Sequence, residues 1–228
     1  STGRQVCGFC FIQGVSLQMA HSEKMTQTQS LFKGRIIEVK KDKVLLENGK
    51  ETTREVVVHH GGVCIAAIDE QDNILLVKQF RYPYGQELIE LPAGKIELGE
   101  DPKTCGIREL EEECGCTADH FEKLTELYPT PAYCTEIIHI YYAQGLHETK
   151  QHLDEGEFLT VMRVPFSQAV QMVLSGEIKD AKTQIGILNL LASSVAVVVW
   201  ENIGRYVLVV IMLCSIFLPI YVVGKKYE

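Results

Sequence analysis

Acidic residues are concentrated in the segment "GKIELGEDPKTCGIRELEEECGC", which runs from residue 94 to residue 116. Glu109, Glu112 and Glu113 lie close enough in sequence to act together on one helix face. Oxygen ligands of this kind suit hard divalent ions such as Mg²⁺ and Mn²⁺. A solvated helix face would also be rich in carboxylates, so composition alone leaves both interpretations open.

The segment 102–114 is predicted to be helical, with Pro102 in the first turn, where a missing N–H is tolerated. At about 100° per residue, the three glutamates fall within about 100° of one another. The apolar residues Ile107, Leu110 and Cys114 are expected on the face that packs on the core, whereas Glu111 points away from the three. Without a cation the three carboxylates would raise one another's pKa.

Placement of the glycines and acids in this segment resembles the signature of the Nudix hydrolases. The matching residues are Gly94, Glu100, Arg108, Glu109, Leu110, Glu112, Glu113, Gly115 and Cys116. The resemblance implies an α/β fold: a Nudix-type α/β/α sandwich with a mixed central sheet and an N-terminal antiparallel strand extension. It also implies divalent-metal dependence and hydrolysis of a nucleoside diphosphate linked to another moiety.

Further stretches resemble the ADP-ribose pyrophosphatase branch of this family, over residues 32–191. They include "LLVKQFRYP", "ELPAGKIE", "YPTPAYCTE", "DEGEF" and "GEIKDAKT". The branch implies hydrolysis of ADP-ribose to AMP and ribose 5-phosphate. Two alternatives stay open: a pyrophosphatase for another nucleoside-diphosphate sugar, UDP-glucose or GDP-mannose, and a Nudix module that binds a nucleotide without cleaving it.

The resemblance also implies roles for individual residues. Mg²⁺, with Mn²⁺ as the alternative, would be held by Ala93 through its carbonyl and by Glu109, Glu112, Glu113 and Glu157. The expected catalytic residues are Glu155, as the base that activates water, with Glu113 and Arg108. The expected substrate-binding residues are Arg81, Arg54 and Glu136. Members of this branch are usually homodimers that share sites through N-terminal strands, so a homodimer is expected here.

Composition is that of a globular protein, with 46% hydrophobic and 23% charged residues among 228. The formal net charge of −8 disfavours binding to nucleic acid, which requires clustered cations. A phosphorylated small substrate stays compatible with this charge, because bound divalent cations reverse the local sign. The eight cysteines show no spacing of a disulfide framework, which indicates reduced thiols in a cytoplasmic catalytic domain.

Four regions are expected along the chain. They are a disordered leader at 1–24, a β-strand dimerisation region at 25–60, the Nudix domain at 61–193, and a hydrophobic tail at 194–228. Within the tail, residues 206–224 carry no charge and would span about 28 Å as a helix. This length is close to that of a bilayer core, so the segment is a candidate transmembrane helix that would anchor the catalytic domain to a membrane.

Overall fold

The computed structural model describes residues 21–194. The chain divides into two compact units, with the boundary between Val57 and Val58. Within the described residues, no helix is both long enough and apolar enough to cross a membrane. The expected transmembrane segment 206–224 lies outside the described residues, as do residues 1–20 of the expected leader.

The first unit is a three-stranded sheet. Its strands are β1 (Lys24–Lys33), β2 (Glu38–Leu45) and β3 (Glu51–Val58), in the order β1-β2-β3. The turn between β2 and β3 is closed by a 2.9 Å hydrogen bond from the Leu46 N–H to the Lys50 carbonyl. Gly49 adopts a positive φ of 77° in this turn, a conformation that favours glycine. Every residue of β1 is exposed.

The second unit is built on a mixed sheet of seven strands. They are β4 (Gly62–Ile68), β5 (Asn73–Arg81), β6 (Gln86–Glu90), β7 (Ala93–Lys95), β8 (Cys116–Leu127), β9 (Ile138–Glu148) and β10 (Leu159–Pro165). The main order is β10-β5-β4-β9-β8, while β6 pairs with β5 and β7 pairs with β4. Strands β4 and β9 are parallel, and the other pairs are antiparallel.

Helices cover both faces of this sheet. They are α1 (Pro102–Cys114), α2 (Phe166–Leu174) and α3, whose described part is residues 181–194. Side chains alternate along β4, so Ala66 packs in a cluster with residues of α2 and α3, whereas Ile65 packs in a cluster with residues of α1. All of β4 is buried as a result, and the expected α/β/α arrangement with a mixed sheet is confirmed.

The helix α1 has the bounds that the sequence predicts. Asp101 caps its start by accepting a hydrogen bond from the Thr104 N–H (3.1 Å), and Gly115 ends it with a φ of 60°. The expected division of its faces is wrong in one respect. Ile107 is 41% exposed, whereas Glu113 is buried beside Leu110. The carboxylate face of α1 is therefore turned partly into the protein.

Candidate active site

The strand β7 lies directly against the carboxylates of α1. Its first residue, Ala93, donates its backbone N–H to Oε2 of Glu113 over 2.9 Å. At the next position, a Cβ added to Gly94 would collide with the side chain of Glu109. A glycine is therefore required at this position, because only a residue without a side chain allows the strand and the carboxylate to approach this closely.

Burial changes the protonation of two of these carboxylates. The side chain of Glu113 is only 2% exposed, and burial, with Glu157 and Glu109 nearby, raises its pKa to about 8 against the opposing Ala93 hydrogen bond. Burial likewise raises the pKa of Glu109 to about 7, with Glu112 and Glu157 adding to the rise and Arg108 opposing it. The protein's own surroundings thus disfavour the ionised form of both carboxyl groups.

Arg108 joins the acidic side chains on the other side of the cluster. Its Nη1 lies 2.9 Å from Glu109 Oε1 and 2.7 Å from Glu112 Oε2, and its Nε donates to Glu100 Oε1 over 3.0 Å. The hydrogen bond to Glu100 is the main reason that the pKa of Arg108 lies above its ordinary value. The arrangement explains the signature spacing: Glu100 anchors the arginine, and the arginine orients two of the three helix carboxylates.

The loop between β9 and β10 brings one more acid to this cluster. Glu157 Oε1 accepts a hydrogen bond of 3.4 Å from Gln79 Nε2, and the Glu157 N–H donates to the Asp154 carbonyl. Glu157 is close enough to raise the pKa of both Glu109 and Glu113. Glu155, at the tip of the same loop, is exposed.

A divalent cation fits the chemistry of this donor set. Within residues 21–194, no three acidic, histidine or cysteine side chains already stand in the arrangement of a metal-binding cluster. The donors that converge here are nevertheless carboxylate oxygens, the ligands that Mg²⁺ and Mn²⁺ prefer. Two of them, Glu109 and Glu113, have pKa values raised by burial and by neighbouring acids, which a cation would reverse.

Each of the three predicted substrate-binding residues has a different protein partner. Arg81 forms a bidentate pair with Glu90, with distances of 2.6 and 2.7 Å. Glu136, which follows the proline-containing loop, lies 3.5 Å from His59 Nδ1. Arg54 belongs to the first unit, where its Nε donates to Glu23 over 3.0 Å.

Sequence reasoning assigned no role to Glu90, Lys182 or Thr183, which form a buried polar group behind Arg81. Glu90 is 1% exposed and Thr183 is fully buried. Lys182 Nζ reaches Glu90 Oε2 at 2.5 Å, and Thr183 Oγ1 accepts from the Leu91 N–H at 2.8 Å. In the sequence, "ELPAGK" and "DAKT" both contain polar residues that could have indicated this group. No local pattern shows, however, that the two stretches lie next to each other in the fold.

Comparison with known proteins identifies the family of this chain. A model of the NUDIX domain matches residues 58–184. An ADP-ribose pyrophosphatase of Bacillus subtilis (strain 168) is 42% identical over 167 residues, which cover 72% of this chain and 90% of the relative. A methanol dehydrogenase activator of Bacillus methanolicus is 39% identical over the same shares of the two chains. A solved structure described as an ADP compounds hydrolase has a TM-score of 0.68 at 20% identity, covering 77% of this chain and 95% of that one. From the signature on α1, the matched domain and these relatives, we conclude that the chain belongs to the Nudix family of hydrolases.

Proposed function

We propose that this Nudix hydrolase cleaves the diphosphate of ADP-ribose, with a divalent metal ion, to give AMP and ribose 5-phosphate. The observation that carries the proposal is the position of Glu109 and Glu113, which lie against β7 in surroundings that raise the pKa of both carboxyl groups. The 42% identity with an ADP-ribose pyrophosphatase supports the choice of substrate. The exposed tip of the acidic loop next to this cluster leaves a carboxylate free to act as a base.

Oxygen atoms from three parts of the second unit would hold the metal. They come from Glu109, Glu112 and Glu113 on α1, from Glu157 on the loop, and from the Ala93 carbonyl on β7. Mg²⁺ is the proposed ion, with Mn²⁺ as the alternative. When bound, such an ion neutralises the diphosphate and lowers the pKa of a coordinated water.

The remaining roles belong to the protein's own side chains. Glu155 takes the proton of the attacking water, while Arg108 keeps Glu109 and Glu112 in place. Arg81 binds a phosphate oxygen with the part of its guanidinium that Glu90 does not use. Glu136 and Arg54 are proposed as further substrate-binding residues on the family resemblance alone.

Assembly and location are proposed on separate grounds. A homodimer is supported by β1, an exposed strand that carries Met25, Leu31 and Phe32 with more than half of each side chain accessible.

The catalytic domain is proposed to be cytoplasmic, since its free cysteines include the buried Cys64 and Cys105. Anchoring to a membrane through residues 206–224 rests on the sequence alone.

The test is a substrate panel with the full chain. ADP-ribose, UDP-glucose and GDP-mannose are each incubated with Mg²⁺, with Mn²⁺ and with a chelator, and the products are separated by chromatography. We expect AMP and ribose 5-phosphate from ADP-ribose, a higher kcat/KM than for the other two substrates, and no turnover with the chelator. Higher kcat/KM for UDP-glucose or GDP-mannose would reassign the substrate. Tight binding of ADP-ribose in calorimetry without product would instead indicate a binding module.

Two variants separate the proposed roles of the loop acids. Glu155→Gln is expected to lower kcat by about 10²–10⁴-fold, as the loss of a general base does, and to leave metal affinity unchanged. Glu157→Gln is expected to weaken metal binding, because its carboxylate lies near Glu109 and Glu113. Asp154→Asn in the same loop is the matched control. If the two glutamine variants showed the reverse pattern, the two roles would be exchanged.

A further inference from the structure

Behind the site lies a group of four charged side chains, one buried and three partly exposed, which we call the Glu90 ion group: Arg81, Glu90, Asp180 and Lys182. Glu90 is at its centre and is 1% exposed. Arg81 donates to it through Nε and Nη2, at 2.6 and 2.7 Å. Lys182 Nζ lies 2.5 Å from the same carboxylate and 3.1 Å from Asp180 Oδ1.

Charge is balanced within the Glu90 ion group, which contains two cations and two anions. Burial alone would raise the pKa of Glu90, but the hydrogen bond from Arg81 and the charge of Lys182 outweigh it and lower the pKa to about 2. The pKa of Lys182 is likewise raised by Asp180 and Glu90 in spite of burial. Buried charges are stable only when paired in this way, so removal of one member leaves another uncompensated.

The same group is attached to the backbone that leads into the site. Thr183 Oγ1 accepts from the Leu91 N–H at 2.8 Å and donates to Asp180 Oδ2 at 2.6 Å. Asp180 Oδ2 also accepts the Thr183 N–H at 2.9 Å and so caps the start of α3. Leu91 precedes Ala93 by two residues. The start of α3 and the strand that contacts Glu113 are thus tied together.

Arg81 belongs to the Glu90 ion group and is also influenced by the charge of a carboxylate of the site, Glu113. The Arg81 side chain is 38% exposed, and Glu113 is near enough to contribute to its raised pKa, although the hydrogen bond to Glu90 is the larger cause. Arg81 donates to Glu90 through Nε and Nη2, and these are its side-chain hydrogen bonds among the described residues 21–194. The third nitrogen, Nη1, is left for a ligand.

We infer that Lys182 is a positioning residue for Arg81. By pairing with both Asp180 and Glu90, Lys182 leaves Arg81 with a single carboxylate partner, so that the guanidinium keeps one orientation and presents Nη1 to a phosphate oxygen of the substrate. The role of Arg81 in substrate binding rests on the proposed function. The orientation of the Arg81 side chain is independent of that function.

Loss of Lys182 alone has a definite electrostatic consequence. Asp180 and Glu90 would then share one cation, and Arg81 would be drawn toward Asp180, away from the site. Replacing Asp180 by Asn at the same time removes the uncompensated charge, and asparagine still caps a helix. The double variant therefore restores charge balance without restoring the lysine.

The experiment compares Lys182→Met, Lys182→Met/Asp180→Asn and the matched control Lys179→Met, which changes an exposed lysine three residues away. Steady-state kinetics with ADP-ribose are measured below the thermal transition of every variant. We expect Lys182→Met to raise KM and lower kcat/KM by about tenfold or more, as partners of site ligands do. The double variant is expected to recover most of this loss, and Lys179→Met to match the wild type.

A second readout does not depend on turnover. The ¹⁵Nε–H signal of Arg81, identified by its disappearance in Arg81→Lys, should exchange slowly with solvent in the wild type. It should exchange faster in Lys182→Met and return to slow exchange in the double variant. Unchanged exchange in Lys182→Met would overturn the inference, as would a lower melting temperature with unchanged KM. An inactive wild type would refute the proposed function only, because the exchange measurement would still decide the orientation of Arg81.

Discussion

Ala93 donates its backbone N–H to Oε2 of Glu113 across 2.9 Å, and this bond connects β7 to the buried end of α1. The hydrogen bond favours the ionised carboxylate, yet burial together with Glu157 and Glu109 outweighs it and raises the pKa of Glu113 to about 8. A carboxyl group in this state holds a proton near neutral pH unless a cation replaces it. Metal binding and proton binding are therefore expected to compete at this site.

Metal affinity is expected to increase with pH. The pKa values of Glu109 and Glu113 are raised to about 7 and about 8, so a divalent ion must displace protons below those values. Apparent Mg²⁺ affinity should rise by up to about tenfold per pH unit for each proton displaced, and level off above about pH 8. Calorimetry at about pH 7, in two buffers of different ionisation enthalpy, counts the protons released.

A neighbouring acid provides the control for this measurement. Glu111 lies on the same helix, but the sequence places it away from the metal-binding face, so Glu111→Gln should leave the proton release unchanged. Glu113→Gln should reduce it. Equal Mg²⁺ affinity at about pH 6 and about pH 9 would contradict the raised pKa values of the site.

Stability without metal should show the opposite trend. The ordinary glutamate pKa of 4.5 applies to the unfolded chain, and the folded value of Glu113 is about 8. Its contribution to folding is therefore present below about pH 4.5 and is lost as the pH rises through about 8. Glu113→Gln keeps an acceptor for the Ala93 N–H and removes the charge. With a chelator at about pH 9 the variant should melt higher than the wild type, by about 2–4 °C per kcal/mol gained.

The same variant should lose its response to metal. Mg²⁺ is expected to raise the melting temperature of the wild type and to have little effect on Glu113→Gln, because one ligand is missing. At about pH 5 the two metal-free proteins should differ less, since Glu113 is then protonated in the wild type. A lower melting temperature for the variant at about pH 9 with chelator would show that Glu113 is not destabilising when charged.

Local patterns were sufficient to predict α1, because a proline in its first turn and a glycine after its last residue mark its ends, and the structure adds Asp101 as the cap. They did not predict how the helix is oriented. The angular positions at about 100° per residue predicted Ile107 on the core face. In the structure Ile107 is 41% exposed, whereas Glu113 is buried. Hydrophobic periodicity assumes that carboxylates seek water, and a cluster of acids built against a strand violates that assumption.

Long-range contacts account for most of the other differences. Strand β8 (Cys116–Leu127) was not expected, because only two of its residues are buried, Cys116 and Phe121, and no alternating apolar pattern results. Arg81, predicted to bind substrate, is the last residue of β5. Its partner Glu90 pairs in turn with Lys182, which is 92 residues further along the chain, and only the fold brings these two together.

Gly94 offers a direct test of the contact between β7 and α1. In Gly94→Ala the new Cβ would collide with Glu109, so the carboxylate must shift. We expect metal affinity and kcat/KM to fall by about 10–100-fold, with a smaller loss of stability. Gly176→Asn is the control, because Gly176 has open space around it and asparagine tolerates its positive φ of 78°. Wild-type metal affinity in Gly94→Ala would mean that Glu109 does not bind the metal.

Stability at acid pH should depend on Glu90. The folded pKa of Glu90 is lowered to about 2 from an ordinary 4.5, so its contribution is complete above about pH 4.5 and is lost as the pH falls through about 2. Glu90→Gln leaves Lys182 and Arg81 with a neutral partner. At about pH 7 the loss should reach about 3–5 kcal/mol, as for other broken buried pairs.

Urea unfolding at about pH 7, pH 5 and pH 3 measures this dependence. The difference between wild type and Glu90→Gln should be constant between the first two values and smaller at the third, because the unfolded wild type then takes up the proton that the folded state resists. The control is Glu87→Gln, which breaks an exposed pair with Lys78 at 2.7 Å and should cost at most about 1 kcal/mol. A deficit of Glu90→Gln that did not shrink at about pH 3 would mean that lost packing, rather than lost charge pairing, destabilises the variant.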